Sequence, residues 1–392
     1  MRLRLCTFWF LYMAGFGVFF PFYSLYLRQE LRLSGTEVGM VMAVLPLVGI
    51  FAQSFWGQLA DRTGSRRGVL AALAVGVAVA SLGLGFPRTF PAALAATALL
   101  ALFLSSMLPQ ATAVSLAAEA PRGAGAFGFV RMWGTLGFLA AVVLFPPFLD
   151  RFEAAGWMPD SLPWGGLGVM FLVVAVMSAL SAAVAVRLPK TESLGLRSVR
   201  GEGWRLLRHP PLRRLLLVVF AAHLCLQGPI NLFPLFIQSH GGDVDTVGRM
   251  WIFMLLLEIP LIGLSGETLR RLGPRGLLTL GLVAEGIRWT TCAFTTDLAV
   301  IQVVMLLHGV GVAGVIIGAP LYLELAVPAN LRSTGQALIS TVGFGAAAIL
   351  SISLGGWLFD RVGPDAPYAV SGIGVLTLGL LLHRVLPEPW RP

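Results

Sequence analysis

Seven ionisable side chains stand within long apolar runs of this sequence: Arg131, His223, Glu258, Glu285, Arg288, His308 and Glu324. An ionised group in hydrocarbon costs roughly 2.5–3.5 kcal/mol on insertion scales, so each must face protein or a water-filled path and find a partner there. Glu258 lies near the middle of its run, where a carboxyl can take up and release protons; a structural ion pair with Arg288 is the competing reading. Glu285 and Arg288 are three residues apart, which puts them on one helical face where they can neutralise each other. Arg131 has no acid near it in sequence. A guanidinium there can grip a carboxylate or phosphate through two parallel hydrogen bonds, or cover carbonyls at a helix end. His308 can titrate, donate to a solute, or sit as a satisfied core histidine.

Two stripes accompany these groups. His223, Gln227 and Asn231 recur every four residues, so three polar side chains share one helical face. Such a face is costly against lipid and must line a cavity or a helix contact. Tyr12, Phe16, Phe19 and Tyr23 form an aromatic stripe that can stack on a ring-shaped solute or simply pack. Glu324 can pair with Arg332 or Arg270, or reach out to the membrane surface.

The elements that position these residues follow from composition. The 392 residues are 57% hydrophobic and 12% charged, against about 25% charged in an average soluble domain. The surplus apolar surface must therefore face lipid. Cys6, Cys225 and Cys292 all lie in apolar runs without metal-knuckle spacing, which makes them core residues. With about 20 apolar residues needed per spanning helix, twelve runs qualify, from 5–27 to 366–386, the eighth to tenth being 246–265, 276–295 and 298–325. The expected fold is an all-α membrane protein of twelve transmembrane helices in two pseudo-symmetric six-helix bundles, 1–187 and 212–392. A basic linker, 188–211, joins them, and within it Trp204 to Arg208 can lie as an amphipathic turn on headgroups or remain a solvated connection.

Assigning loops alternately puts 20 of the 28 Lys and Arg on one side, six on the other and two, Arg131 and Arg288, within spans. The positive-inside rule makes the crowded side cytoplasmic, with both termini on it, and reads the +9 net charge as topology rather than a nucleic-acid surface. The first run is too long for a cleaved signal peptide and lacks its small-residue site. An internal repeat supports the six-plus-six division: Gly57, Arg62, Gly64 and Arg66 recur 209 positions later as Gly266, Arg271, Gly273 and Arg275. Duplicated helical halves with a midplane site between them are a recurring plan of secondary transporters.

The loop after the second run reads Gly57-Gln-Leu-Ala-Asp61-Arg62-Thr-Gly64-Ser-Arg66-Arg67. It resembles the signature of the major facilitator superfamily, and the resemblance implies a gating role for Gly57, Asp61, Arg62, Gly64, Arg66 and Arg67. Phe20-Pro21-Phe22-Tyr23, Phe127 to Gly134, Glu258, Arg288-Trp289 and Leu307-His308-Gly309 are similar to the branch of lactose permease and the phenylpropionate and nucleoside permeases. That resemblance implies solute contacts at Arg131, His308 and Tyr23 and a part for Arg288 beside Glu258 in proton coupling, while the polar face of His223, Gln227 and Asn231, if it lines the cavity, supplies further solute contacts. The chain departs from the branch in three places. Span four carries Gln110 but no acid, Gly311 stands where the branch has an acid one turn after the span-ten histidine, and Arg270 replaces the second-half counterpart of Asp61.

No Walker A, HExxH or GxSxG motif is present, which argues against an ATPase and an intramembrane hydrolase. Gly309, Gly311 and Gly314 fit GxGxxG only in letter, since they lie in an apolar run with no preceding strand, and read as helix-packing glycines. The expected function is alternating-access transport of a small organic or aromatic acid, proton-coupled, with sugar or nucleoside symport and drug or sugar efflux as alternatives. The expected partners are the small-molecule solute, protons and the bilayer of the cell (inner) membrane, without cofactor, metal or nucleic acid, and the chain is expected to be a monomer.

Overall fold

The computed structural model describes residues 1–122, 126–156, 162–189, 209–327 and 332–388; side chains are described for all of these except 259, 262–271, 316 and 333. Most of the basic linker, including Trp204 to Arg208, lies outside them. The chain divides into two compact units, Met1–Gly195 with Asp243–Arg249, and Leu196–Gly242 with Met250–Pro392.

The first unit is built from α1 (Arg2–Gln29), α2 (Gly35–Thr63), α3 (Arg66–Gly83), α4 (Phe90–Glu119), α5 (Ala126–Ala154) and α6 (Val169–Ala185). Helix α1 is apolar on every side and buries most of its length, as a helix at the centre of a bundle must. Its neighbours come close because glycines remove side chains at the crossings. A Cβ at Gly17 would meet the Phe138 carbonyl of α5, and one at Gly137 of α5 would strike the Phe10 carbonyl of α1. Ser34 and Glu37 form a reciprocal capping box that starts α2. Gly64, at φ +62°, ends it in the left-handed conformation that glycine adopts without steric cost. Six carbonyl-bearing ends need donors. Arg67 Nη1 donates to Leu188 O at 3.1 Å and Arg4 Nη1 to Arg187 O at 3.0 Å, closing the end of α6.

The second unit contains α7 (Pro210–Ser239) and the later part of α8 (Val244–Leu256). A long helical run, α9 (Glu258–Phe294), follows, bent where Gly273 takes φ 68° and ψ 172°. Next come α10 (Leu298–Val304), α11 (Leu307–Gly311), a π-helical segment at Val312–Ile317 and α12 (Gly318–Ala326). The unit closes with α13 (Arg332–Ser340), a second π segment at Thr341–Ala347, α14 (Ala348–Arg361) and α15 (Ala366–Val385).

Among the described residues ten helical stretches are long and apolar enough to cross a membrane. The other two expected spans, 246–265 and 276–295, fall on α8 and α9. Their boundaries differ from the expected ones because the chain breaks at Leu257 and runs on helically through the polar stretch before Gly273.

The internal repeat is visible in backbone geometry. Gly273, 209 positions after Gly64, likewise takes a positive φ, with an extended ψ of 172° where Gly64 has 9°. Arg275 Nη1 donates to Leu386 O at 3.4 Å, as Arg67 does to Leu188 O, and its Nη2 lies 2.7 Å from Glu388 Oε1. A Cβ at Gly228 of α7 would meet the Ser351 carbonyl of α14, the counterpart of Gly17 against α5. These contacts predict that Gly137→Leu lowers stability in detergent by about 1–3 kcal/mol through overpacking. Gly128→Leu, where a Cβ has nothing within 4 Å, should leave the thermal midpoint unchanged.

Candidate functional site

In the first unit Arg131 lies on α5 with its guanidinium carbon 4.9 Å from the centroid of the Trp9 ring of α1. The flat cation rests on the negative face of the indole, a contact that gains strength away from water. Trp9 is held from its other edge, since its Nε1 donates to Ser115 Oγ of α4 at 2.9 Å. Gly134, one turn after Arg131, leaves room for both groups: a Cβ there would stand 3.0 Å from Arg131 Nη1 and 3.1 Å from Trp9. Gln110, buried on α4, approaches the site of a Gly57 Cβ to 4.0 Å, so the first glycine of the signature loop sits over a polar residue of span four. Trp9 itself is fully buried. Its ring is the surface on which the partly buried Arg131 lies.

In the second unit Glu285, Arg288 and His308 come together. Both side chains of the pair are at least 95% buried; Arg288 Nη2 lies 2.5 Å and Nε 3.1 Å from Glu285 Oε2. His308 Nδ1 lies 3.5 Å from the other oxygen, Oε1, a contact longer than a good hydrogen bond. The Arg288 guanidinium also covers the Trp289 ring at 3.8 Å. Glu258 joins by its backbone, because a Cβ at Gly309, next to His308, would meet the Glu258 amide nitrogen at 2.7 Å. The structure thus brings the expected Arg288 and His308 together on the two oxygens of Glu285, and packs the Glu258 backbone against Gly309.

The other expected residues are placed as follows. Tyr23 is fully buried and hydrogen-bonds Thr97 Oγ1 at 2.5 Å, with Phe19 stacked on it at 4.6 Å, so it joins α1 to α4 inside the packing. His223 donates Nδ1–H to Val219 O at 2.9 Å and meets Phe344 edge-on, against the π segment at Gly343. That is a helix contact. Asn231 Nδ2 donates to the Gln227 carbonyl at 2.7 Å, and the Gln227 side chain is half-buried. Asp61 meets Arg66 at 3.3 Å within the signature loop, while Arg62 is exposed. Glu324 is exposed and Arg332 donates to Val327 O at 3.3 Å; the Arg270 side chain is outside the described residues. The three glycines of the literal GxGxxG are packing glycines: Gly309 lies on Glu258, Gly311 on Glu285 and Gly314 on Gly281.

Sequence reasoning missed one buried carboxylate. Glu119, 1% exposed at the end of α4, is bracketed by Arg2 Nε at 3.2 Å and Arg122 Nη1 at 3.3 Å. Its spacing of three from Arg122 was the available signal; the approach of Arg2, across more than a hundred residues, had none. Among the described residues no group of three or more His, Cys, Asp or Glu could hold a metal ion.

Residues 2–370 match the model of the MFS_1 like family. The chain belongs to that family. This major facilitator transporter is 31% identical over 390 residues to the maltose permease of Geobacillus stearothermophilus, covering 96% of this chain and 93% of that one. It is 24% identical to the probable 3-phenylpropionic acid transporter of Escherichia coli, covering 97% of each. A crystal structure of the nucleoside transporter NupG superimposes with a TM-score of 0.81 at 16% identity, covering 98% of both chains, which shows the shared fold. The protein is a multi-pass secondary transporter and carries out no chemical conversion.

The pair at Glu285 and Arg288 makes a stability prediction for this transporter. Arg288→Ala leaves a buried carboxylate without its partner and should cost about 3–5 kcal/mol in chemical unfolding. The double variant Arg288→Met with Glu285→Leu should lie closer to the unaltered protein than Arg288→Ala does.

Proposed function

We propose that this transporter moves a small sugar with protons by alternating access. The observation that carries the reading is the neutralisation of Arg288 by Glu285. A carboxylate-binding site built on Arg288 would need that cation free, and Glu285 already matches it. In the first unit the partly buried Arg131 lies on the Trp9 indole, whose Nε1 donates to the uncharged Ser115, and a guanidinium hydrogen-bonds hydroxyls as well as carboxylates. The relationship with the maltose permease supports the same solute class. Protons are the natural driving ion because titratable groups, Glu258, Glu285 and His308, gather in the second unit. Gln227, with Asn231 bonded to its carbonyl, completes the polar face that a solute would meet on α7. Coupling is proposed to run through the ionisable groups of the second unit, Glu258, Glu285 and Arg288, and the Gly57 to Arg67 loop is the proposed gate, with Asp61 and Arg66 as its ion pair. The termini are proposed to face the cytoplasm, on the arginine asymmetry of the loops.

A second reading, a small aromatic acid, has its own support in Arg131, a cation whose geometry suits a carboxylate. Counterflow in proteoliposomes separates the two. Efflux of preloaded labelled maltose should be exchanged by external maltose and not by 3-phenylpropionate; exchange by 3-phenylpropionate alone would overturn the sugar reading. Arg131→Lys keeps the charge and loses the planar fork, and should weaken maltose exchange about tenfold, as the loss of one charge-assisted hydrogen bond would. Unchanged exchange would remove Arg131 from the site.

A further inference from the structure

The side-chain space of Gly311 is occupied. A Cβ built there would collide with the carboxylate of Glu285, with its Oε1, Cδ and Cγ the three nearest atoms. We infer that Glu285, seated over Gly311, is the carboxylate that carries the coupled proton, and that its seat in span ten is where protonation is converted into movement. This rests on the proposed proton coupling and assigns it to one residue.

Three observations lead there. First, the seat is built by backbone. Gly314 and Gly281 press their main chains together one turn further on, and Gly318 lies on Leu278, so α9 and span ten touch without intervening side chains along this line. Any change in the size or charge of Glu285 is therefore felt by span ten directly. Second, the π segment Val312–Ile317 begins at the next residue after Gly311. A π turn is a weak point in a helix and recurs at functional positions, so the helix can bend where the carboxylate presses on it. Third, the carboxylate has two faces: Oε2 is held by Arg288 and Oε1 looks at His308.

The titratable groups around it are Arg288 and Cys292 on its own helix, His308 on α11 and Tyr368 on α15, whose charge fields reach the pair. A proton arriving by way of His308 converts the carboxylate to a neutral acid, which loosens Arg288. Its later loss to the opposite side restores the pair, so one proton enters and one leaves in each cycle.

The experiment has two arms. In proteoliposomes Glu285→Gln should keep maltose counterflow, which needs no gradient, and lose all accumulation driven by an imposed pH gradient. Placing the acid on the other helix, Glu285→Ala with Gly311→Asp, should restore accumulation that Glu285→Ala lacks. If the unaltered protein exchanges 3-phenylpropionate instead, that solute replaces maltose in both assays. Accumulation by Glu285→Gln equal to the unaltered protein, or a double variant no better than Glu285→Ala, overturns the inference. If the unaltered protein exchanges neither solute, the proposed solute reading fails instead, and the second arm alone decides the inference. The second arm needs no solute. Gly311→Ala should lower the thermal midpoint in detergent in the unaltered background and leave it unchanged when Glu285 is already Ala; equal shifts in the two backgrounds overturn the seat.

Discussion

A charge inside hydrocarbon has no water to turn to, and the second unit of this transporter is arranged around that constraint. Glu285 and Arg288 are both buried and answer each other at hydrogen-bond distance. Replacing such a pair by apolar residues of similar volume is often no loss of stability, so the retention of two ions in a span points to a use for them. The use suggested by their surroundings is exchange: the acid has a histidine on its second oxygen and a helix with no side chain beneath it. In the first unit Arg131 meets the same constraint differently, by lying on an indole that Ser115 holds in place.

The duplicated plan extends from letters to geometry. A glycine of positive φ follows the second span of the first unit and recurs in the second, and each is followed by an arginine that donates to the carbonyl of a leucine at the far end of its own unit. These arginines do two things. They satisfy carbonyls that a helix end leaves without partners, and they tie the first and last thirds of each unit together at one end. Glu119 makes a third tie of this kind in the first unit, joining α4 to the start of α1.

How much of this was legible depended on the range of the signal. Long apolar runs gave the all-helical membrane fold, because span length is a property of local composition. The pairing of Glu285 with Arg288 was legible as a three-residue spacing, yet the contact with His308 was not, since it depends on how two helices lie. Tyr23 and His223 were read from stripes, and a stripe does not say which neighbour it meets. Thr97 and the π segment at Gly343 decided both. The break at Leu257 and the run through to Gly273 were hidden because apolar windows smooth over single residues. Gly311 illustrates the limit best. Its sequence records a missing side chain, and only packing shows that a carboxylate from another helix fills the place.

The central claim, that solute and proton cross together through this transporter, is tested most directly by following external pH. Maltose added to a lightly buffered suspension of de-energised cells producing the protein should make the medium more alkaline, and a protonophore should abolish the change. Maltose uptake of the same size with no movement of pH would contradict the account.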